Sequence, residues 1–586
     1  MSKIFESPVA KNTAVLLVLL IVAGLICRKI LTEGLIYGSD DIWTHLFWLR
    51  DFTRELEEGI IYPRWLAQND FLFGGPVLVF YPPLCFYLGA ALKILCQLKV
   101  EQALSVMLLL GAFSTSACFY LAGLHRWGRK AAALGALLLG LSPYIVIDAY
   151  VRGAIPELWS LGWLSLILLS VDRVREKIWR YTLALGFFLI ALTHVPTTLI
   201  YTCAWLSRLS FCSIRTLDGG SILRWNIIYA ALGLGCASFF LLPAWLEERF
   251  VNITAVIADR YCGNLLSFNR FDGVPFVPPV AIAATIFALF FFLIIAFCRF
   301  RKPRFSQELK EPTYWVCLNL IAFFLMTDLF RPLWDMTKIL QFLQFPWRLM
   351  TLTIFSCAVL FAYCIRAISE RKFVTPVRSL LYLLLAVPFL HGIYFDYTIQ
   401  KFRAGLNEPQ PYKLNDTPTK DASSAVFWVK GYEGLRKQML ARMEKTTGYY
   451  GVPEYRPLAG VIGGTPHTSA EPEENRSEFL TVEGGGNIVP GKSTSYSKEF
   501  ILKPQGKLRM VVRLYYYPGW HLYCDGREHQ ILQTDEGTIM FDVPQGEHKF
   551  VLKYEDTLAL KLGIAVSCLS LALLVLLARQ ERTPPK

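Results

Sequence analysis

The chain has 586 residues, 54% of them hydrophobic, and a mean hydropathy of +0.40. That exceeds what a soluble domain with a single core shows, so the composition excludes one and indicates a polytopic membrane protein. The formal charge of +13 sits in short Lys/Arg clusters between apolar runs. With no basic face or recognition motif, nucleic acid is not an expected partner.

The N-terminal MSKIFESPVAK leads into an apolar run ending at Ile26 with no small-x-small cleavage site, which predicts a retained anchor. Runs of spanning length, about 17 to 25 residues, follow near 103–123, 131–149, 157–172, 225–243, 279–298, 313–331, 349–368, 379–397 and 558–578, after the first at 13–30. The stretch 181–212 is read as two helices divided around His194 and Pro196. Most of the 14 cysteines, such as Cys118, Cys203, Cys236 and Cys357, lie inside apolar runs and describe neither a disulfide frame nor a zinc spacing.

The run 77–95 decides topology, because crossing there reverses every later loop. Lys/Arg counting favours a segment that only dips into the membrane. The inner side then receives HRWGRK (125–130), DRVREKIWR (172–180), RFRKPRF (299–305), RAISERK (366–372) and RQERTPPK (579–586). The outer side keeps isolated Arg152, Arg249, Arg260, Arg270, Arg331, Lys338 and Arg348; Arg28 and Lys29 run against the scheme. The expectation is twelve spans in a bacterial inner or plasma membrane with both termini cytoplasmic. Residues 1–397 form the transmembrane domain, with its first outer loop at 31–102. Residues 398–557 form an outer domain, and 558–586 the last span and tail.

In that outer domain, PEENRSE and VEGGGNIVPGKSTS carry loop signals. KLRMVVRLYYY, WHLYCDG, GTIMFDV and HKFVLKY alternate with period two, predicting strands of a small β-sandwich or jelly roll. LRKQMLARMEK (435–445) has helical character.

Chemistry-bearing residues cluster at predicted membrane boundaries. In GSDDIWTHLFWLRDF (38–52), Ile42, Leu46, Leu49, Phe52 and Leu56 form an apolar stripe, with Arg50, Asp51, Arg54, Glu55, Glu57 and Glu58 mostly opposite. Asp41 and His45, one turn apart, fall on the edge of that stripe. A helix N-cap accounts for Asp40 but not for His45 or for two adjacent acids at a lipid boundary, so Asp41, Asp40 and His45 are catalytic candidates. FGGPVLVFYPPLCFYLG (73–89) breaks at Gly74, Gly75 and Pro76 and restarts after Tyr81, which suits either a folded-back segment or a loop.

AYVRGAIPE (149–157) places Arg152 and Glu157 in a very short loop, where an ion snorkels to the headgroups or lines a polar cavity. LTHVPTT (192–198) sets His194 beside a proline, as a satisfied interior histidine or a functional one. LLPAWLEERF carries Glu247, and FPWR carries Arg348, an interfacial anchor and equally a phosphate partner. No Walker motif, dinucleotide fingerprint, HExxH or GxSxG context is present, which removes support for soluble-nucleotide chemistry.

GSDDIWTHL, YPRWLAQNDFLFGGPVLVFYPPL, YVRGAIPE, LTHVPTT, LLPAWLE and FPWR together resemble the bacterial and archaeal membrane proteins labelled 6-pyruvoyl-tetrahydropterin synthase-related. That label is not evidence of pterin chemistry. The acidic motif, amphipathic helix and YPPL segment resemble the wider GT-C superfamily of membrane glycosyltransferases. The stretch from YYYPGWHLYCDGRE through VPQGEHKFVLKYE is similar to YfhO-type proteins.

The resemblance implies inverting transfer of a sugar from a polyprenyl-phosphate donor to a cell-envelope glycan, lipid or protein acceptor. Asp41 would be general base or metal ligand, with His45 four residues on. Arg152 and Arg348 would hold the departing phosphate, with Tyr81, Glu157, His194 and Glu247 around the cavity. Mg²⁺ or Mn²⁺ is the candidate ion, Asp41 and His45 its candidate ligands. The competing expectation is a non-catalytic protein of this fold that binds or translocates lipid-linked glycans, or a transporter.

Overall fold

The computed structural model describes residues 7–35, 39–69, 73–216, 218–251, 261–267, 276–300, 305–371, 379, 383, 385–406, 479–483, 486–534 and 537–580. The helix expected at 435–445 lies outside the described residues. The chain forms two compact units: Met1–His45, Leu98–Gly233 and Asp259–Arg436 in one, Leu46–Gln97, Leu234–Ala258 and Lys437–Lys586 in the other.

The first unit is helical. Val100–Trp127 packs on Ile155–Leu168, an approach that is close at Gly162, where a Cβ would stand 3.1 Å from the Ser114 carbonyl oxygen. Met350–Glu370 is apolar around nearly its whole circumference and buried accordingly, the behaviour of a central helix. The stretch 181–212 does divide in two, Lys177–Ala191 and Val195–Arg215, with the break at 192–194.

Among the described residues of the whole chain, six helices are long and apolar enough to cross a membrane: Pro8–Ile26, Val100–Trp127, Ile155–Arg173, Val277–Arg299, Pro346–Glu370 and Leu558–Gln580. Two further pairs reach that length only together, bent by 42° between Arg129–Gly140 and Pro143–Arg152 and by 75° between Gly219–Cys236 and Ser238–Leu246. Within 77–95 the helices are Val77–Phe80 and Leu84–Leu95. Twelve residues rise only ~18 Å against a core of ~30 Å, so neither helix is long enough by itself to cross.

The second unit contains two antiparallel sheets. One has the order β1 (Phe479–Glu483), β4 (Leu508–Tyr515), β8 (Thr538–Val543), β7 (Leu532–Gln533). The other runs β2 (Gly486–Ser493), β3 (Ser497–Pro504), β9 (His548–Tyr554), β5 (Trp520–Cys524), β6 (Arg527–His529). Phe500, Leu522, Phe550 and Leu552 from one sheet and Met510, Val512, Ile539 and Phe541 from the other share a core, the arrangement of a β-sandwich.

All four stretches with period two are strands. NIVPGKS, expected to be loop, is strand as well: β2 lies at a sheet edge, where Pro490 forfeits no central hydrogen bond, and the register shifts just after it. Trp65 is buried in the same core, edge-on to Trp520 at 5.5 Å. The backbone N–H groups of Arg64 and Trp65 both donate to the Tyr496 hydroxyl, and the Arg64 guanidinium pairs with Asp556 at 2.7 Å.

The helix Ile42–Glu57 departs from its simple amphipathic reading. Asp51 and Glu55 on its charged side are fully buried. Within the second unit, Glu55 Oε1 accepts from the Ala67 N–H at 3.1 Å and Arg50 donates to Gln68 at 3.0 Å, so a loop covers the face expected to meet water. Burial pushes the Glu55 carboxyl well above the usual carboxylate range.

Candidate functional site

The first unit brings a set of charged side chains together around a π-helical turn, Ile147–Arg152, which follows the short helix Pro143–Val146. Such turns recur at functional sites because the widened ring leaves backbone and side chains in unusual register. Here Asp148 and Arg152 face one another, Arg152 Nη1 to Asp148 Oδ1 at 2.7 Å. The same nitrogen lies 2.7 Å from Glu157 Oε2, in the first turn of the next helix.

Glu157 is the hub. Its Oε2 also accepts from Arg348 Nε at 3.3 Å, and its Oε1 accepts from the Tyr144 hydroxyl at 2.5 Å. Arg348 Nη1 donates to the Leu343 carbonyl at 2.7 Å and to Gln344 Oε1 at 2.9 Å, and its guanidinium lies over the Phe345 ring. Asp148, Arg152, Glu157 and Arg348 are all buried. Two guanidinium groups lie against two carboxyl groups, the pairing that lets a low-dielectric interior hold ionisable side chains.

The network still has unspent capacity. Asp148 Oδ2 is buried with no hydrogen-bond partner among the described residues. A buried carboxylate oxygen left in this state is costly in a purely structural role.

The acidic motif docks onto this turn through its backbone. The N–H groups of Asp40 and Asp41 donate to the carbonyls of Val151 and Arg152, at 3.2 and 2.8 Å. Gly153 makes the approach possible: its φ is +63°, and a Cβ there would stand 2.9 Å from Ser39 Oγ and 3.2 Å from the Ile42 backbone nitrogen. The Asp41 carbonyl then accepts from the His45 N–H at 3.1 Å, opening the helix. His45 is 2% exposed. Burial depresses its imidazole below the usual histidine range, against the opposing pull of Asp41.

His194 opens the helix Val195–Arg215, its Nδ1 3.1 Å from Thr197 Oγ1. It lies within electrostatic range of Arg348, Glu157, Arg152 and His45, as Arg152 and Arg348 lie within range of Asp41. Asp41, His45, Arg152, Glu157, His194 and Arg348 are therefore neighbours, with Asp40 on the exposed side of the motif.

Tyr81 and Glu247 belong to the second unit. The Tyr81 ring meets Trp48 edge-on at 4.9 Å. Both Glu247 oxygens are engaged, Oε2 by the Tyr517 hydroxyl at 2.6 Å and Oε1 by the Thr557 hydroxyl. Sequence reasoning missed Asp148, Tyr144 and Gln344. The available signal was Asp148 itself, an acid inside an apolar run and one turn before Arg152.

As a metal centre, Asp41 and His45 would offer two ligands. Among the described residues, no group of three His, Cys, Asp or Glu ligand atoms gathers at this place. The pair thus suits only an ion completed by substrate oxygens and water, as Mg²⁺ often is.

A sequence model described as "6-pyruvoyl-tetrahydropterin synthase related domain; membrane protein" matches residues 78–400. No curated protein matches the chain. Among solved structures it is similar to the mycobacterial arabinofuranosyltransferase AftD, at 13% identity and a TM-score of 0.39, over 65% of this chain and 26% of that one. It is also similar to the oligosaccharyltransferase AglB of Archaeoglobus fulgidus in complex with an inhibitory peptide and a dolichol-phosphate: 14% identity, TM-score 0.41, 76% of this chain and 61% of that one. ArnT of Cupriavidus metallidurans bound to undecaprenyl phosphate follows at 12% identity and 0.26, over 60% and 78%. The chain thus spans about a quarter of AftD and less than two thirds of AglB. With the family's sequence model covering more than half of its length, the chain belongs to the 6-pyruvoyl-tetrahydropterin synthase-related family of membrane proteins.

Proposed function

We propose that this protein is an inverting membrane glycosyltransferase of the GT-C type, using a polyprenyl-phosphate sugar and an acceptor outside the cytoplasm. The observation that carries the proposal is the docking of Asp41 on the backbone of Arg152. It joins an acid, two guanidinium groups and a second, half-used acid in one cluster. In the arrangement proposed, twelve spans leave both termini in the cytoplasm and the β-sandwich outside.

Asp41 accepts the proton of the acceptor hydroxyl as its oxygen bonds to the sugar's anomeric carbon. The bond from that carbon to the phosphate oxygen breaks on the opposite face, and the electron pair leaves with the lipid phosphate. Arg348 Nη2 and the Nε and Nη2 of Arg152 are the guanidinium donors not used within the cluster, and they receive the developing charge. Glu157 holds both guanidinium groups in place. Asp41 and His45 would hold Mg²⁺ or Mn²⁺, which supplies further neutralisation of the phosphate.

The purified protein is incubated with a panel of polyprenyl-phosphate sugars, and release of the lipid phosphate is followed. Turnover by the wild type and its loss in Asp41→Asn, with insertion and folding intact, supports the reading. Binding of the lipid donor with no release by the wild type overturns it and favours the non-catalytic alternative.

A further inference from the structure

The β-sandwich carries a second cluster, independent of the charged site. Strand β5 ends at Cys524, and a two-residue turn, Asp525-Gly526, reverses the chain into β6. Both turn residues have positive φ, +49° and +81°, the conformation that suits a tight hairpin. The turn is fastened to β9 from both sides: the Asp525 N–H donates to the Lys549 carbonyl at 2.8 Å, and the Lys549 N–H donates to Asp525 Oδ1 at 2.9 Å. This leaves Oδ2 facing His548, whose Nδ1 is 2.7 Å away.

The Cys524 sulfur completes the group. One ligand atom each from Cys524, Asp525 and His548 lies within 4.8 Å of the other two, the only such trio of His, Cys, Asp or Glu among the described residues. A thiolate, an imidazole and a carboxylate form a donor set suited to a borderline divalent ion, with sulfur near ~2.3 Å and nitrogen and oxygen near ~2.0–2.2 Å of the metal. The geometry points to Cys524, Asp525 and His548 as a binding site for a Zn²⁺-class divalent metal, three protein ligands leaving the fourth position to water or an external ligand.

The proton now joining His548 Nδ1 to Asp525 and the proton of the Cys524 thiol leave as the metal takes their places, with no redox change. The pairing of Cys524 with Phe550 and the contacts of Asp525 with Lys549 hold the backbone beside the three ligands. The bound ion adds a further tie where the β5–β6 turn meets the start of β9. No sequence spacing announces the site, because His548 comes from a strand 23 residues after Asp525.

Purified full-length protein in detergent is stripped with chelator and titrated with Co²⁺, then Zn²⁺. The wild type is expected to take up one Co²⁺ with a thiolate-to-cobalt absorption band, which Zn²⁺ displaces. Cys524→Ser should abolish the band, and His548→Gln should weaken affinity by at least about tenfold, since even ligands' outer partners are worth that much. Cys96→Ser, which removes an exposed cysteine elsewhere in the unit, should change nothing. A wild type that retains no metal, or a band that survives in Cys524→Ser, overturns the assignment. The metal-free variants are compared with wild type by thermal unfolding, so that lost uptake in a folded variant reads on the site alone.

Discussion

The N–H of Asp41 donates to the carbonyl of Arg152 at 2.8 Å, so an acid at the head of one helix is aligned by the backbone of the residue proposed to receive phosphate. Gly153 sits beneath that contact. In Gly153→Ala the methyl group meets Ser39 and Ile42, and a left-handed φ costs about 1–2 kcal/mol besides. Donor turnover should fall by at least about tenfold while the protein still inserts, as read by lipid-phosphate release alongside a fold-sensitive melting assay. Wild-type turnover in this variant contradicts the docking.

Glu157 bridges Arg152 and Arg348, and removing one member of a buried ion network leaves its partners uncompensated. Glu157→Ala should destabilise the protein by about 3–5 kcal/mol. The check is thermal melting in detergent, with Glu157→Gln, which keeps the Tyr144 hydrogen bond, lying between the two.

Asp148 answers a different question. Asp148→Asn keeps the shape of the side chain and a partner for Arg152 Nη1, but puts an amide nitrogen in place of an oxygen that has no hydrogen-bond partner among the described residues. If that oxygen meets substrate, kcat should fall by about 100-fold with the melting temperature nearly unchanged. A variant that melts early yet turns over normally would confine Asp148 to holding Arg152.

His45 supplies a pH dependence whose sign follows from its burial. The folded protein holds the His45 proton less readily than the unfolded chain, where it titrates near 6.5. The unfolded state thus binds more protons below that value, so stability from this group is complete above pH 6.5 and declines as pH falls further. Melting midpoints from pH 7.5 to 5.5 should drop more steeply for wild type than for His45→Gln. Parallel curves contradict the assignment.

Glu247 and Tyr517 make a buried hydrogen bond inside the second unit. Tyr517→Phe leaves half of that carboxylate unsatisfied and should cost about 1–3 kcal/mol, with donor turnover little changed at temperatures where the variant is folded. Calorimetric melting of the two proteins side by side measures the difference.

What was legible in the sequence follows the strength of each local signal. The four alternating stretches became strands because period two admits few other packings. Asp41, His45, Arg152, Glu157, His194 and Arg348 gathered because an ion in an apolar chain must find partners, whereas Tyr81 and Glu247 fall in the other unit. Asp148 escaped because a run of apolar neighbours reads as an ordinary span until the π turn, invisible in composition, puts it against Arg152. Pro490 misled for a similar reason, since only sheet order shows that its strand lies at an edge. Glu55 misled because a helical wheel cannot see the loop that covers it.

Three of the four charges in the buried network lie between residues 148 and 157, and the fourth is supplied 191 residues after Glu157. Asp148, Arg152 and Glu157 alone set two carboxyl groups against one guanidinium. A nascent chain emerging from the ribosome therefore leaves Glu157 without its second guanidinium until Arg348 has been translated. Chains that stop short of residue 348 should be the preferred prey of membrane quality-control proteases.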